Sequence, residues 1–143
     1  MHKKPPEPQQ VTVTIPPGPS RAPDVFAAQC PTRQMLDRIG DKWTVLVVQT
    51  LDGGPVRFSA LKRRIDGISQ KMLAQTLRLL ERDGLVARRV APTTPVTVDY
   101  ALTPLGRTLV GALTPLITWS ESQMDAVIAA RQAFDARPPA GWV

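Results

Sequence analysis

Between Ser69 and Gly84 the chain reads SQKMLAQTLRLLERDG, and its polar residues recur at a spacing that gathers hydrogen-bond donors. At about 3.6 residues per turn, Lys71, Gln75, Arg78 and Arg82 share a narrow arc of a helix, with Ala74 beside them. Leu73, Thr76, Leu77 and Leu80 form the opposite stripe, the one expected to be buried. The central members of the outward arc include no acid. Solvated faces usually mix signs, so a face made of donors calls for an anionic partner. Ser69 is placed to cap the helix start by accepting from the first free N–H groups, and Gly84 to close its end.

The totals set bounds on what such a helix serves. A chain of 143 residues with 43% hydrophobic content suits one globular domain with a modest core. Lys and Arg number 18 against 12 Asp and Glu, a net charge of +6 that favours a polyanion. No apolar run approaches the roughly 20 residues needed to cross a bilayer, so no membrane partner is expected. Met1, His2, Lys3 and Lys4 are followed by Pro5, Pro6 and Pro8 where a signal peptide needs an apolar stretch. Cys30 and His2 are the only residues of their kinds, which leaves no His/Cys metal cluster within one chain. A reducing cytoplasm is the expected compartment, with no cofactor and no metal. Catalysis is not expected either. The domain has no histidine, no paired carboxylates, no phosphate-binding glycine loop and no elbow-type serine.

The elements that must position the cationic arc follow from punctuation. Residues 1–24 are proline-rich and are expected to be disordered, with VTVTI (11–15) alternating like a strand. CPTRQMLDRIG predicts a short helix starting near Pro31 or Thr32, with Gly40 after its end. DKWTVLVVQTL predicts a more buried helix, covered by Trp43, Val45, Leu46, Val47 and Leu51. After DGGP, VRF is a very short strand and SALKRRI a third helix, with Ser59 as its expected cap. DGI is a turn before the helix described above. LVARRV and VTVDYAL then bracket APTTP as a hairpin, with Val96, Val98, Tyr100 and Leu102 alternating inward. Thr103 caps a long helix from Pro104 toward Phe134. Pro115 either kinks that helix or lets Thr114 cap a second one. The expected organisation is a disordered tail at 1–24, one domain over 25–134 and a flexible tail at 135–143.

Two short helices joined by a glycine-containing turn and followed by a hairpin make a winged helix-turn-helix, a mainly α (α+β) fold with a two-stranded wing and a long C-terminal helix. In it the fourth helix enters the major groove, so double-stranded DNA is the expected polyanion. A glutamine can make two hydrogen bonds to an adenine edge and an arginine two to guanine, which makes Gln75 and Arg78 the base-reading candidates. Ala74 permits close approach and can meet a thymine methyl. Ser69, Gln70 and Lys71, at the helix start, suit a phosphate. Arg82, Arg57 and Lys62 join the candidate contacts. For Lys62 and its neighbours Arg63 and Arg64, plain solvation is nearly as good an account. Arg88 and Arg89 are adjacent on a strand and face opposite ways, so one points to DNA and the other to Asp99 or solvent.

The chain resembles the HxlR-type winged-helix transcriptional regulators, of the MarR-like superfamily. The resemblance rests on IGDKWT, RFSALKR, GISQKML and YALTPLGR in that order, covering roughly residues 28–120. It implies a homodimer that pairs through the first and the C-terminal helices and binds an inverted-repeat operator, most simply as a repressor. For that interface the expected residues are Leu105, Leu109, Leu113, Leu116, Trp119, Met124, Val127 and Ile128, which equally suit a core or the wall of a small-molecule effector pocket. Some members carry a reactive cysteine just before the first helix, the place Cys30 occupies. A helix start with Arg33 close by would favour the thiolate and reaction with an electrophile, while a half-buried small residue is the bland alternative. Two departures stand out. The wing tip APTTPVT lacks an arginine, leaving Arg88 and Arg89 to supply the charge and Thr93 and Thr94 only hydroxyls, and Pro115 lies within the dimer helix. An assembly module binding another protein through this fold is the rival reading, and it predicts acids or apolar groups where Lys71, Arg78 and Arg82 stand.

Overall fold

The computed structural model describes residues 25–138; the expected disordered stretch 1–24, its VTVTI segment and the last part of the C-terminal tail lie outside them. The elements run α1 (Pro31–Gly40), α2 (Lys42–Leu51), β1 (Val56–Arg57), α3 (Phe58–Arg64), α4 (Gln70–Arg82), β2 (Val86–Ala91), β3 (Thr97–Leu102) and α5 (Pro104–Asp135). The chain divides into two units, one ending at Leu36 and the other beginning at Asp37. Five helices and an antiparallel sheet ordered β1-β3-β2 make a winged helix. None of the described helices is long and apolar enough to cross a membrane.

In the first unit, the Cys30 carbonyl accepts the Gln34 N–H at 3.1 Å and so serves the first turn of α1. The second unit is built on α2 and α4. Asp41 caps α2, its carboxylate accepting from the Trp43 and Thr44 N–H groups at 2.8 and 3.2 Å. The buried stripe of α2 is Thr44, Val47, Val48 and Leu51. That corrects the wider expected cover: Leu46 is exposed, and Trp43 and Val45 are only half-buried. The stripe Leu73, Thr76, Leu77 and Leu80 of α4 is buried as its spacing predicts.

Ser59 does not cap α3. The helix begins one residue earlier, at Phe58, with Arg57 at the cap position and no side chain bonded there, because β1 runs directly into it. Gly67 and Gly84 hold positive φ (82° and 75°) at the turns on either side of α4, where a side chain would be strained. Arg38 Nε meets Asp83 Oδ2 at 3.0 Å, tying the last turn of α1 to the end of α4.

The joint before α5 is made by one hydroxyl. Thr103 donates to the Gly84 carbonyl and accepts the Gly106 N–H at 3.0 Å, so a single side chain fixes the exit of α4 and the entry of α5. The long helix is continuous through Pro115. Thr114 caps no second helix; it donates to the Val110 carbonyl at 2.8 Å within α5.

Candidate nucleic-acid interface

Helix α4 positions the donors by burying its other side. Lys71, Ala74, Gln75, Arg78 and Arg82 are all exposed, as is Gln70. Ser69 accepts the Met72 N–H at 3.0 Å, which uses an oxygen lone pair and leaves its O–H able to donate outward. Among the described residues the ion pairs are Arg38–Asp83 and Arg57–Asp99, so none of the α4 cations is matched by a neighbouring acid. Glu81, which the periodicity left off the central arc, is exposed and lies beside Arg78 in a cavity of about 290 Å³. It is the acid at the edge of an otherwise cationic face.

The hairpin register settles the two adjacent arginines. Arg88 pairs across from Tyr100 and Arg89 across from Asp99. Residues opposite each other share a sheet face, so Arg88 lies on the face of buried Tyr100 and Leu102, and Arg89 on the other. Arg88 lines the 290 Å³ cavity with Ala74, Arg78, Glu81 and Tyr100. It also lines a second one of about 430 Å³, with Arg57, Phe58, Ser59, Tyr100 and the 96–98 segment. Arg88 is therefore the arginine turned toward α4. Asp99 is taken by Arg57, whose Nε stands 3.6 Å from its Oδ1, and Arg89 is left exposed.

Lys62, Arg63 and Arg64 are exposed in the last turn of α3, where their charges complement the helix dipole. Thr93 and Thr94 sit exposed at the wing tip, with the Thr93 hydroxyl donating to the Pro95 carbonyl at 2.9 Å. Cys30 is half-buried. Arg33 Nη1 donates to the Phe26 carbonyl at 3.0 Å, so that guanidinium has an acceptor other than the thiol. Two members of the expected dimer surface are corrected: Leu109 and Leu113 (2% exposed) are buried in the chain's own core. Leu105, Leu116, Trp119, Met124 and Ile128 are exposed, and Val127 is half-buried.

Two residues of the cleft escaped the sequence reading. The alternation of β3 places Tyr100 inward as core, and it is buried, yet it also lines both cavities. Counting outward from Pro92 and Pro95 sets it opposite Ala87; the observed register pairs Ala91 with Thr97, leaves Val96 in the loop and so brings Arg88 opposite Tyr100. Glu81 was passed over because the arc was centred on Gln75.

A family model of HxlR-like helix-turn-helix proteins matches residues 38–128, which hold α2, the helix-turn-helix, the wing and most of α5. The chain belongs to the HxlR-like helix-turn-helix family. The HTH-type transcriptional regulator YtfH of Escherichia coli (strain K12) is 43% identical over 108 residues, covering 76% of this chain and 86% of that one. The solved transcriptional regulator YtfH of Salmonella typhimurium superposes with a TM-score of 0.73 at 41% identity, covering 77% and 98% of the two chains. The redox regulator HypR in its reduced form superposes at 0.65 with 37% identity, over 69% and 98%. This HxlR-like chain is accordingly a DNA-binding transcriptional regulator, with α4 as the second helix of its helix-turn-helix.

Proposed function

We propose that the protein acts as a homodimer that represses transcription by occupying an inverted-repeat operator in duplex DNA. The reading is carried by the exposed, acid-free centre of α4, flanked by the one wing arginine on the same side. Gln75 and Arg78 read base edges, and Ala74 allows close approach. Ser69, Gln70, Lys71 and Arg82 hold phosphates on either side, with Arg57, Lys62, Thr93 and Thr94 as outlying contacts and Arg89 adding general positive potential. A second copy covers the exposed apolar half of α5 and brings two reading heads onto one face of the duplex, about one helical turn apart.

The test is binding to genomic fragments followed by base substitution within the bound site. Arg78→Ala is expected to lose about 1–3 kcal/mol of discrimination at one base position, flattening preference there while retaining general affinity. Unchanged affinity and unchanged preference in that variant would remove α4 from the reading role.

Thiol chemistry at Cys30, or a small effector, is the proposed control. Its support is the position of Cys30 at the start of α1 together with the likeness to a redox regulator. Oxidation by diamide, or addition of an electrophilic quinone, is expected to change operator affinity in the wild type and not in Cys30→Ser. An equal response from both proteins rules the thiol out as the sensor.

A further inference from the structure

We propose that Tyr100 and Arg88 form a seat for one DNA backbone phosphate at the root of the wing; the inference rests on the DNA-binding reading and extends it to a residue outside α4. Tyr100 is 8% exposed, with its ring 6.5 Å from that of Phe58. Among the described residues its hydroxyl has no hydrogen-bond partner. Among the described residues the enclosed side-chain atoms without a hydrogen bond are Gln49 Nε2 and Asp99 Oδ1, so the Tyr100 oxygen, which also lacks one, is open to solvent. It opens where the side chain lines the two cavities. A tyrosine buried to this degree ordinarily satisfies its O–H inside the protein. Here Arg88 stands directly across the hairpin and lines the same two cavities as Tyr100, and a hydroxyl donor with a guanidinium suits an oxyanion.

Charge decides which cavity holds it. The narrower one is lined by Glu81, whose carboxylate repels an anion. The wider one, of about 430 Å³, has no acid among its lining residues and has Arg57 and Ser59 at its edge. A free phosphate has the same chemistry as a backbone phosphate. Continuity with α4 selects the backbone: Ala74 and Arg78 line the narrower cavity, which shares Arg88 and Tyr100 with the wider one, so a duplex laid on the α4 face carries a strand past Arg88.

The experiment measures binding of the full chain to its operator fragment and to an unrelated duplex across a salt series. Tyr100→Phe keeps the ring and removes one oxygen. It is expected to weaken both duplexes about tenfold, with the salt slope unchanged because no charge is lost. Arg88→Gln is expected to weaken both and to reduce the slope by about one. On operator duplexes carrying a neutral methylphosphonate at one position at a time, one position should abolish the difference between wild type and Tyr100→Phe. The seat is overturned if Tyr100→Phe binds like wild type, if it weakens one sequence only, or if no position abolishes the difference. Wild-type protein that ignores every duplex in dilute buffer would instead defeat the DNA-binding reading itself.

Discussion

Among the described residues lining the cleft between α4 and the wing, Glu81 is the one acid, and it stands between two arginines that are proposed to contact DNA. Arg78 lies one turn earlier on the same exposed face, and Arg88 borders the same cavity from the hairpin. A carboxylate there opposes any phosphate that approaches the narrower cavity and lowers the local positive potential. Neutralising it removes that opposition without touching a donor. Glu81→Gln is therefore expected to tighten binding to all duplexes severalfold and to steepen the fall of affinity with salt, since more of the nearby cationic charge then acts on phosphates. Titrations at several salt concentrations on two unrelated sequences check this. Tightening confined to one sequence would mean instead that Glu81 reads a base, as a carboxylate can from cytosine.

At the scale of elements, the decisive contact is the crossing of α5 over the start of β2. Gly106 is buried there, and a methyl group on it would run into the Leu85 backbone carbonyl and press on Leu102. Backbone cannot swing aside as a side chain can, so Gly106→Ala is expected to destabilise the fold by about 1–3 kcal/mol. Gly111 of the same helix is exposed, with nothing within 4 Å of an added methyl. Gly111→Ala is expected to stabilise by up to about 1 kcal/mol. Urea unfolding of the pair measures both signs; equal effects would mean that α5 does not cross at Gly106.

The same contrast explains what the sequence made legible. Helix α4 could be read whole because its cap, its stripe and its closing glycine are local. The start of α3 could not, since Ser59 looks like a cap until β1 is known to pair with β3 and to fix Arg57 in the extended conformation. Nor could parity alone choose between Arg88 and Arg89, because the choice depends on which residue of β3 lies opposite. Among the leucines of α5, period shows which side they share but not whose surface covers them. Leu109 and Leu113 are buried by their own chain, while Leu116 is left 56% exposed.

For the whole molecule, that division within α5 leaves the surface through which the proposed homodimer would pair its two reading heads. Leu105, Leu116, Trp119, Met124, Val127, Ile128 and Phe134 fall on one half of the helix circumference at about 100° per residue. Trp119 and Leu116 are 58% and 56% exposed, and Phe134 adds an exposed ring at the same azimuth. Apolar surface of this extent on a charged chain marks an interaction face, and a second copy offers the same face in return. Trp119→Lys places a charge in that contact and leaves the core of one chain intact. It is expected to shift the protein toward monomer in sedimentation while its unfolding midpoint at low concentration stays near the monomeric value. Leu109→Ala should do the reverse, costing about 2–5 kcal/mol of chain stability through the cavity it leaves. On the proposed arrangement of one head per half-site, the monomeric Trp119→Lys protein should bind a single half-site as the wild type does. It should lose the additional affinity gained when the two heads are linked, often a hundredfold or more, on the complete inverted repeat. If Trp119→Lys remains dimeric with full operator affinity, the apolar half of α5 is not what joins the two copies.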